Sequence, residues 1–102
     1  DIENIELLLA WIAGLHNLST LFEQQGLECE ALRYLAIPHQ RVLKLVSKVS
    51  NDAPFHETLL RTAKVTLFPL LEFSQRNVIC EGCLASLQIN KEWLMTPKHQ
   101  FH

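Results

Sequence analysis

At 102 residues, with 48% hydrophobic and 20% charged side chains, three glycines and four prolines, the chain has the composition of one globular domain, not of a disordered segment. A domain of this size buries only roughly 60–70% of the surface its unfolded form exposes, which leaves little core around a catalytic cavity. Nine Lys and Arg against eleven Asp and Glu give a net charge of −2, so the basic footprint of a nucleic-acid binder is absent.

In chain order, Ile5, Leu8, Ile12, Leu15, Leu18 and Phe22 recur at three- and four-residue steps, which predicts a first helix between Ile2 and Phe22 with these residues on one face. Leu7, Leu9, Trp11 and Leu21 widen that face, so the helix is expected to be central and covered on more than one side. Its longest wholly apolar run, Leu7 to Leu15, is nine residues. That is short of the ~20 that span a bilayer, and no basic stretch precedes it as in a signal peptide, so no membrane partner is expected. Gly26 follows Glu23-Gln24-Gln25 and suits the left-handed conformation that ends a helix, which places the end near Gln25.

A second helix is predicted from Glu28, with Ala31, Leu32 and Leu35 inward, to a kink or break at Pro38. Val42, Leu43, Leu45, Val46 and Val49 then resume an apolar face opposite Arg41, Lys44 and Lys48. The first 26 residues carry Asp1, Glu3, Glu6 and Glu23 and no Lys or Arg, so they are electrostatically suited to lie beside this basic stretch. Ser50-Asn51-Asp52-Ala53-Pro54 supplies turn formers, a candidate N-cap and a first-turn proline. A third helix from Pro54 carries Leu59, Leu60, Ala63, Leu67, Leu70 and Leu71, with a kink predicted at Pro69. Within it Val65-Thr66-Leu67-Phe68 also fits a strand. A short fourth helix is predicted over Val78 to Gln88, capped by Asn77, with a further turn at Lys91 to Met95. The whole, residues 1–102, reads as one all-α domain of about four helices; beginning at Asp1 rather than Met, it is expected to be an excised part of a larger protein.

Between Leu15 and Leu35, Leu15, Leu18, Ser19, Phe22, Gly26, Ala31 and Leu35 stand at the spacing of a tetratricopeptide repeat, which the segment resembles. The resemblance implies an antiparallel helical hairpin, in which small Ser19 and Ala31 let the helices approach closely while Phe22 and Leu35 fill the space beside them. It covers about a fifth of the chain. Glu28, Pro38 and Leu43 depart from the family's usual aromatic, small residue and helix-ending proline, and no second copy follows. It also implies a scaffold, because family members stack hairpins and bind helices or peptides of other proteins.

Cys80-Glu81-Gly82-Cys83 is the one motif with metal or redox character, and His99 and His102 complete a Cys₂His₂ set for structural zinc. The His-x-x-His spacing is tighter than usual, and a thioredoxin-like role needs a βαβ setting, so small buried cysteines on one helical face are the plainer reading. Cys29 is flanked by Glu28 and Glu30, which disfavour a thiolate nucleophile. No Gly-rich phosphate loop, nucleophile elbow or His-Glu-x-x-His helix occurs, and neither an enzyme nor a cofactor is expected. Three cysteines cannot all pair within one chain, which favours a reducing cytoplasmic or nuclear setting.

The expected function is therefore a module that binds a helix or extended segment of another protein. Trp11, Phe22, Phe55, Phe68, Phe73 and Trp93 exceed what so small a bundle can hide and are candidate anchors, with Arg41, Lys44 and Lys48 at the rim steering an acidic partner. Self-association would consume the same surface. The alternatives are a zinc-stabilised helical module and a secreted helical-bundle ligand with a disulfide at Cys80 or Cys83.

Overall fold

The computed structural model describes residues 4–89, which form four helices and no strand: α1 (Ile5–Gln24), α2 (Glu28–Lys48), α3 (Pro54–Arg76) and α4 (Glu81–Ser86). The candidate turn at Lys91 to Met95 lies outside the described residues. Helix α1 starts at Asn4, whose Oδ1 accepts the Leu7 N–H at 3.0 Å. It ends where Gly26 takes φ +79°. There the Leu27 N–H donates to Phe22 O at 2.9 Å and the Gly26 N–H to Glu23 O at 3.0 Å, the double bond of a glycine-terminated helix.

Neither internal proline ends its helix: α2 runs through Pro38 and α3 through Pro69. An interior proline costs about 3 kcal/mol. Beyond Pro38, however, Val42 and Leu45 are buried, and beyond Pro69 so are Leu70 and Phe73. At roughly 1.5–3 kcal/mol for each fully buried side chain, continuing the helix outweighs breaking it. The segment Val65 to Phe68 is helical within α3. Pro54 opens α3 in its first turn, but its N-cap is Ala53, without a side-chain bond. Helix α4 is shorter than the apolar spacing suggests. Asn77 does not cap it; its amide donates to Glu23 Oε2 at 2.9 Å and to Phe73 O at 3.2 Å. The cap is Cys80, whose Sγ accepts the Cys83 N–H at 3.3 Å.

Helix α2 is the central element, packed against both α1 and α3, while α1 and α3 meet each other only marginally. Ala31, Leu32, Leu35 and Ala36 of α2, Leu70 and Phe73 of α3, Leu84 of α4 and Ile89 form one core, against which Phe22, Ile79, Cys83 and Leu87 pack. The expectation that α1 is central is corrected. Only Ile12 and Ser19 of α1 are buried, because a single neighbour, α2, covers one of its faces. Apolar breadth around a helix calls for cover, but it does not say that the cover comes from the same chain. At its C-terminal end α1 is tied to α3 by Glu23, whose carboxylate accepts two bonds from Arg76 at 2.9 and 3.0 Å besides that of Asn77. Those bonds hold the Glu23 carboxyl below its ordinary pKa, the Arg76 contact most of all.

Candidate interaction surface

The α1–α2 hairpin is set by two small residues. Ser19 Oγ donates to Ala31 O at 2.7 Å, with both residues buried. Beside this contact the rings of Phe22 and Tyr34 stack with centroids 5.5 Å apart and planes 6° from parallel. Because the helices are antiparallel, each step back along α1 from Ser19 pairs with a step forward along α2 from Ala31. Arg41, Lys44 and Lys48 therefore run alongside the N-terminal end of α1.

Two apolar seams follow from the order of residues along α1. The inner one, Ile5, Leu8, Ile12, Leu15, Ser19 and Phe22, is buried or half-buried against α2. The outer one advances by alternating steps of four and three through Leu7, Trp11, Gly14, Leu18 and Leu21, all exposed. Leu7 is 62% exposed, Leu21 53%, Trp11 40% and Leu18 39%. A side chain added at Gly14 would meet nothing within 4 Å, so the middle of this seam is open to close approach. Leu18 thus belongs to the outer seam and not to the inward face expected for it. Helix α1 is long and apolar enough to cross a membrane by length and composition, although its inner seam lies on α2.

The other candidate anchors scatter. Phe73 is 1% exposed and part of the core, so its ring is consumed by the fold and is not a surface anchor as it stands. Phe22 and Phe55 are half-buried, and Phe68 is exposed on α3. Trp93 lies outside the described residues. Arg41, Lys44 and Lys48 are exposed and form no ion pair among the described residues, whereas Arg33, Arg61 and Arg76 do. Leu7, Leu18 and Leu21, which the sequence placed on the wide apolar face of the first helix without singling them out as anchors, are exposed beside Trp11. Their signal, a second three-four repeat offset from the first, was present but merged into one wide face.

The cysteines pair across the fold. Cys83 of α4 forms a disulfide with Cys29 in the first turn of α2, with Cα atoms 5.8 Å apart, and Cys80 is free and exposed. A sulfur held in a disulfide is not a thiolate ligand, so this arrangement takes Cys83 out of a zinc set with Cys80; His99 and His102 lie outside the described residues. No group of three potential ligands that could hold a metal occurs among the described residues. Two histidines are buried enough to titrate below the ordinary imidazole range. His39 packs between α2 and α3 with Nδ1 2.8 Å from Thr66 Oγ1, and half-buried His16 leaves Nε2 without a hydrogen-bond partner.

No curated protein and no solved structure matches the chain. Over residues 1–99 it matches a family described as Protein of unknown function (DUF2753).

Proposed function

The chain belongs to this family of unknown function, and we propose that it is a protein-interaction module whose outer α1 seam receives an amphipathic helix of a partner protein. The observation that carries the reading is the exposure of Leu7, Trp11, Leu18 and Leu21 at the same three-four period by which the inner seam of α1 already takes α2. That period is the one at which a second helix meshes its side chains. The glycine turn and the Ser19–Ala31 contact support the tetratricopeptide-like hairpin that the scaffold reading draws on. Arg41, Lys44 and Lys48 beside the N-terminal half of the seam favour a partner helix with acidic residues at one end, attracted over about a Debye length.

A helix is favoured over a lipid surface because exposed Asn17 and Thr20 interrupt the apolar surface of α1. Moreover, α1 has Glu6 and Glu23 and no Lys or Arg to engage anionic headgroups. The Cys29–Cys83 bridge supports an oxidising compartment over the cytoplasm or nucleus expected from an odd cysteine count.

The test is a displayed library of amphipathic helices with varied flanking charge, selected on the chain and on Leu18→Glu. Enrichment of helices with a three-four apolar repeat and an acidic end, lost at least tenfold with Leu18→Glu while the helical circular dichroism is kept, is the expected result. Three results overturn it: no enrichment, concentration-dependent sedimentation abolished by Leu18→Glu, or cosedimentation with neutral lipid vesicles abolished by the same change. The second would assign the seam to self-association and the third to a membrane.

A further inference from the structure

All three cysteines of the chain line one cleft of about 260 Å³ between the start of α2 and the segment leading into α4, walled by Leu32, Phe73 and Val78. Two of them are bonded to each other, and the third, Cys80, is free on the same cleft. Cys80 is exposed, and its Sγ sits 3.3 Å from the Cys83 backbone nitrogen, one helical turn before the sulfur that Cys83 shares with Cys29. Gly82 between them has no side chain to fill the gap; a Cβ there would lie 3.9 Å from Cys80 Sγ.

We propose that this cluster is a thiol–disulfide exchange site in which Cys80 attacks the Cys29–Cys83 bridge. The Cys80 thiol gives its proton to solvent, and its sulfur lone pair forms a bond to Cys83 Sγ. The Cys29–Cys83 bond breaks, and its electron pair leaves on Cys29, which takes up a proton. Two thiol equivalents of sulfur remain bonded and one free throughout, so no oxidant or reductant is consumed. Such exchange requires an accessible thiol near the attacked sulfur, which exposed Cys80 supplies in the shared cleft, and a leaving thiolate, which Cys29 forms in the first turn of α2, where the positive end of the helix opposes the charges of Glu28 and Glu30.

The two states differ in what they tie together. The bridge in the structure closes a sequence separation of 54 residues and fastens α4 to the N-terminal end of α2. The exchanged bridge spans only Cys80-Glu81-Gly82-Cys83 and leaves α4 held by the packing of Leu84, Leu87 and Ile89 and by the Gln40 amide, which donates to Leu87 O and Gln88 O. A short loop constrains the chain less than a long one, so the structure's own bridge is the one that native packing selects. The exchanged one gains whenever packing of α4 loosens.

Thiol mapping decides the matter. The oxidised chain is held without denaturant at mildly alkaline pH, sampled over time, alkylated with a maleimide and digested. Label is expected on Cys80 at first and then also on Cys29, with Cys80 and Cys83 recovered in one bridged peptide, at a rate independent of protein concentration and with helical circular dichroism unchanged. Cys80→Ser should leave no cysteine labelled, and Cys29→Ser should form the Cys80–Cys83 bridge in oxidised glutathione. Label confined to Cys80 throughout overturns the proposal, as does a Cys29→Ser chain that yields only mixed disulfides with glutathione.

Discussion

Two left-handed residues end two helices, and only one of them is a glycine. Gly26 at φ +79° was legible in the sequence, because no other residue type adopts that conformation as cheaply. Gln88 at φ 56° was not. It closes α4 with the same pair of bonds, Ile89 N–H to Leu84 O at 3.0 Å and Gln88 N–H to Ala85 O at 3.2 Å. What holds a glutamine there is its neighbour: Ile89 is buried in the core, and its side chain reaches it only if the chain turns left at Gln88. A residue with a Cβ pays about 1–2 kcal/mol in this region. Gln88→Gly is therefore expected to stabilise the fold by about 0.5–1 kcal/mol, since glycine also gains freedom in the unfolded chain. Urea unfolding followed by circular dichroism measures it, and an unchanged midpoint would show that the turn is not strained.

At the level of elements, periodicity located α1, α2 and α3, and the resemblance to a tetratricopeptide repeat implied the contact between Ser19 and Ala31. Periodicity carried α3 through Pro69 but left a kink or a break open at Pro38, where α2 in fact continues, because whether a proline breaks a helix depends on what is buried beyond it. It also started α4 too early: Val78 and Ile79 are apolar, yet Val78 is almost fully exposed and Asn77 is drawn to Glu23 on another helix. The hairpin contact can be tested alone. Ala31 has no exposed surface and its carbonyl receives the Ser19 hydroxyl, so Ala31→Leu overpacks the crossing and should cost about 1–3 kcal/mol. The same substitution at exposed Ala13 serves as control and should change stability by no more than about 0.5 kcal/mol. Equal effects at the two positions would mean that the close approach does not determine the α1–α2 geometry.

For the molecule as a whole, burial of His16 and His39 links folding to pH. Burial lowers both pKa values below the ordinary 6.5, so the unfolded state binds protons that the folded state refuses. The stability tied to the neutral rings is complete above the unfolded pKa and is lost as pH falls from there through the folded values. Glu23, also lowered, acts in a separate window below the ordinary carboxylate pKa of 4.5. Chemical denaturation between pH 8 and pH 5 should thus show a falling midpoint over the lower half of that range, shallower in His39→Gln; a flat profile in the parent chain would refute the linkage. The all-α class and the surplus of apolar side chains were legible in spacing and composition along one chain, and the first hairpin in its resemblance to a tetratricopeptide repeat. That α2 and not α1 is central, that Phe73 is core while Leu18 is surface, and that Cys83 meets Cys29 came from helix packing. Each of these depends on which helix faces are brought together across long sequence separations, and a repeat of three and four is satisfied equally by a partner within the chain or outside it.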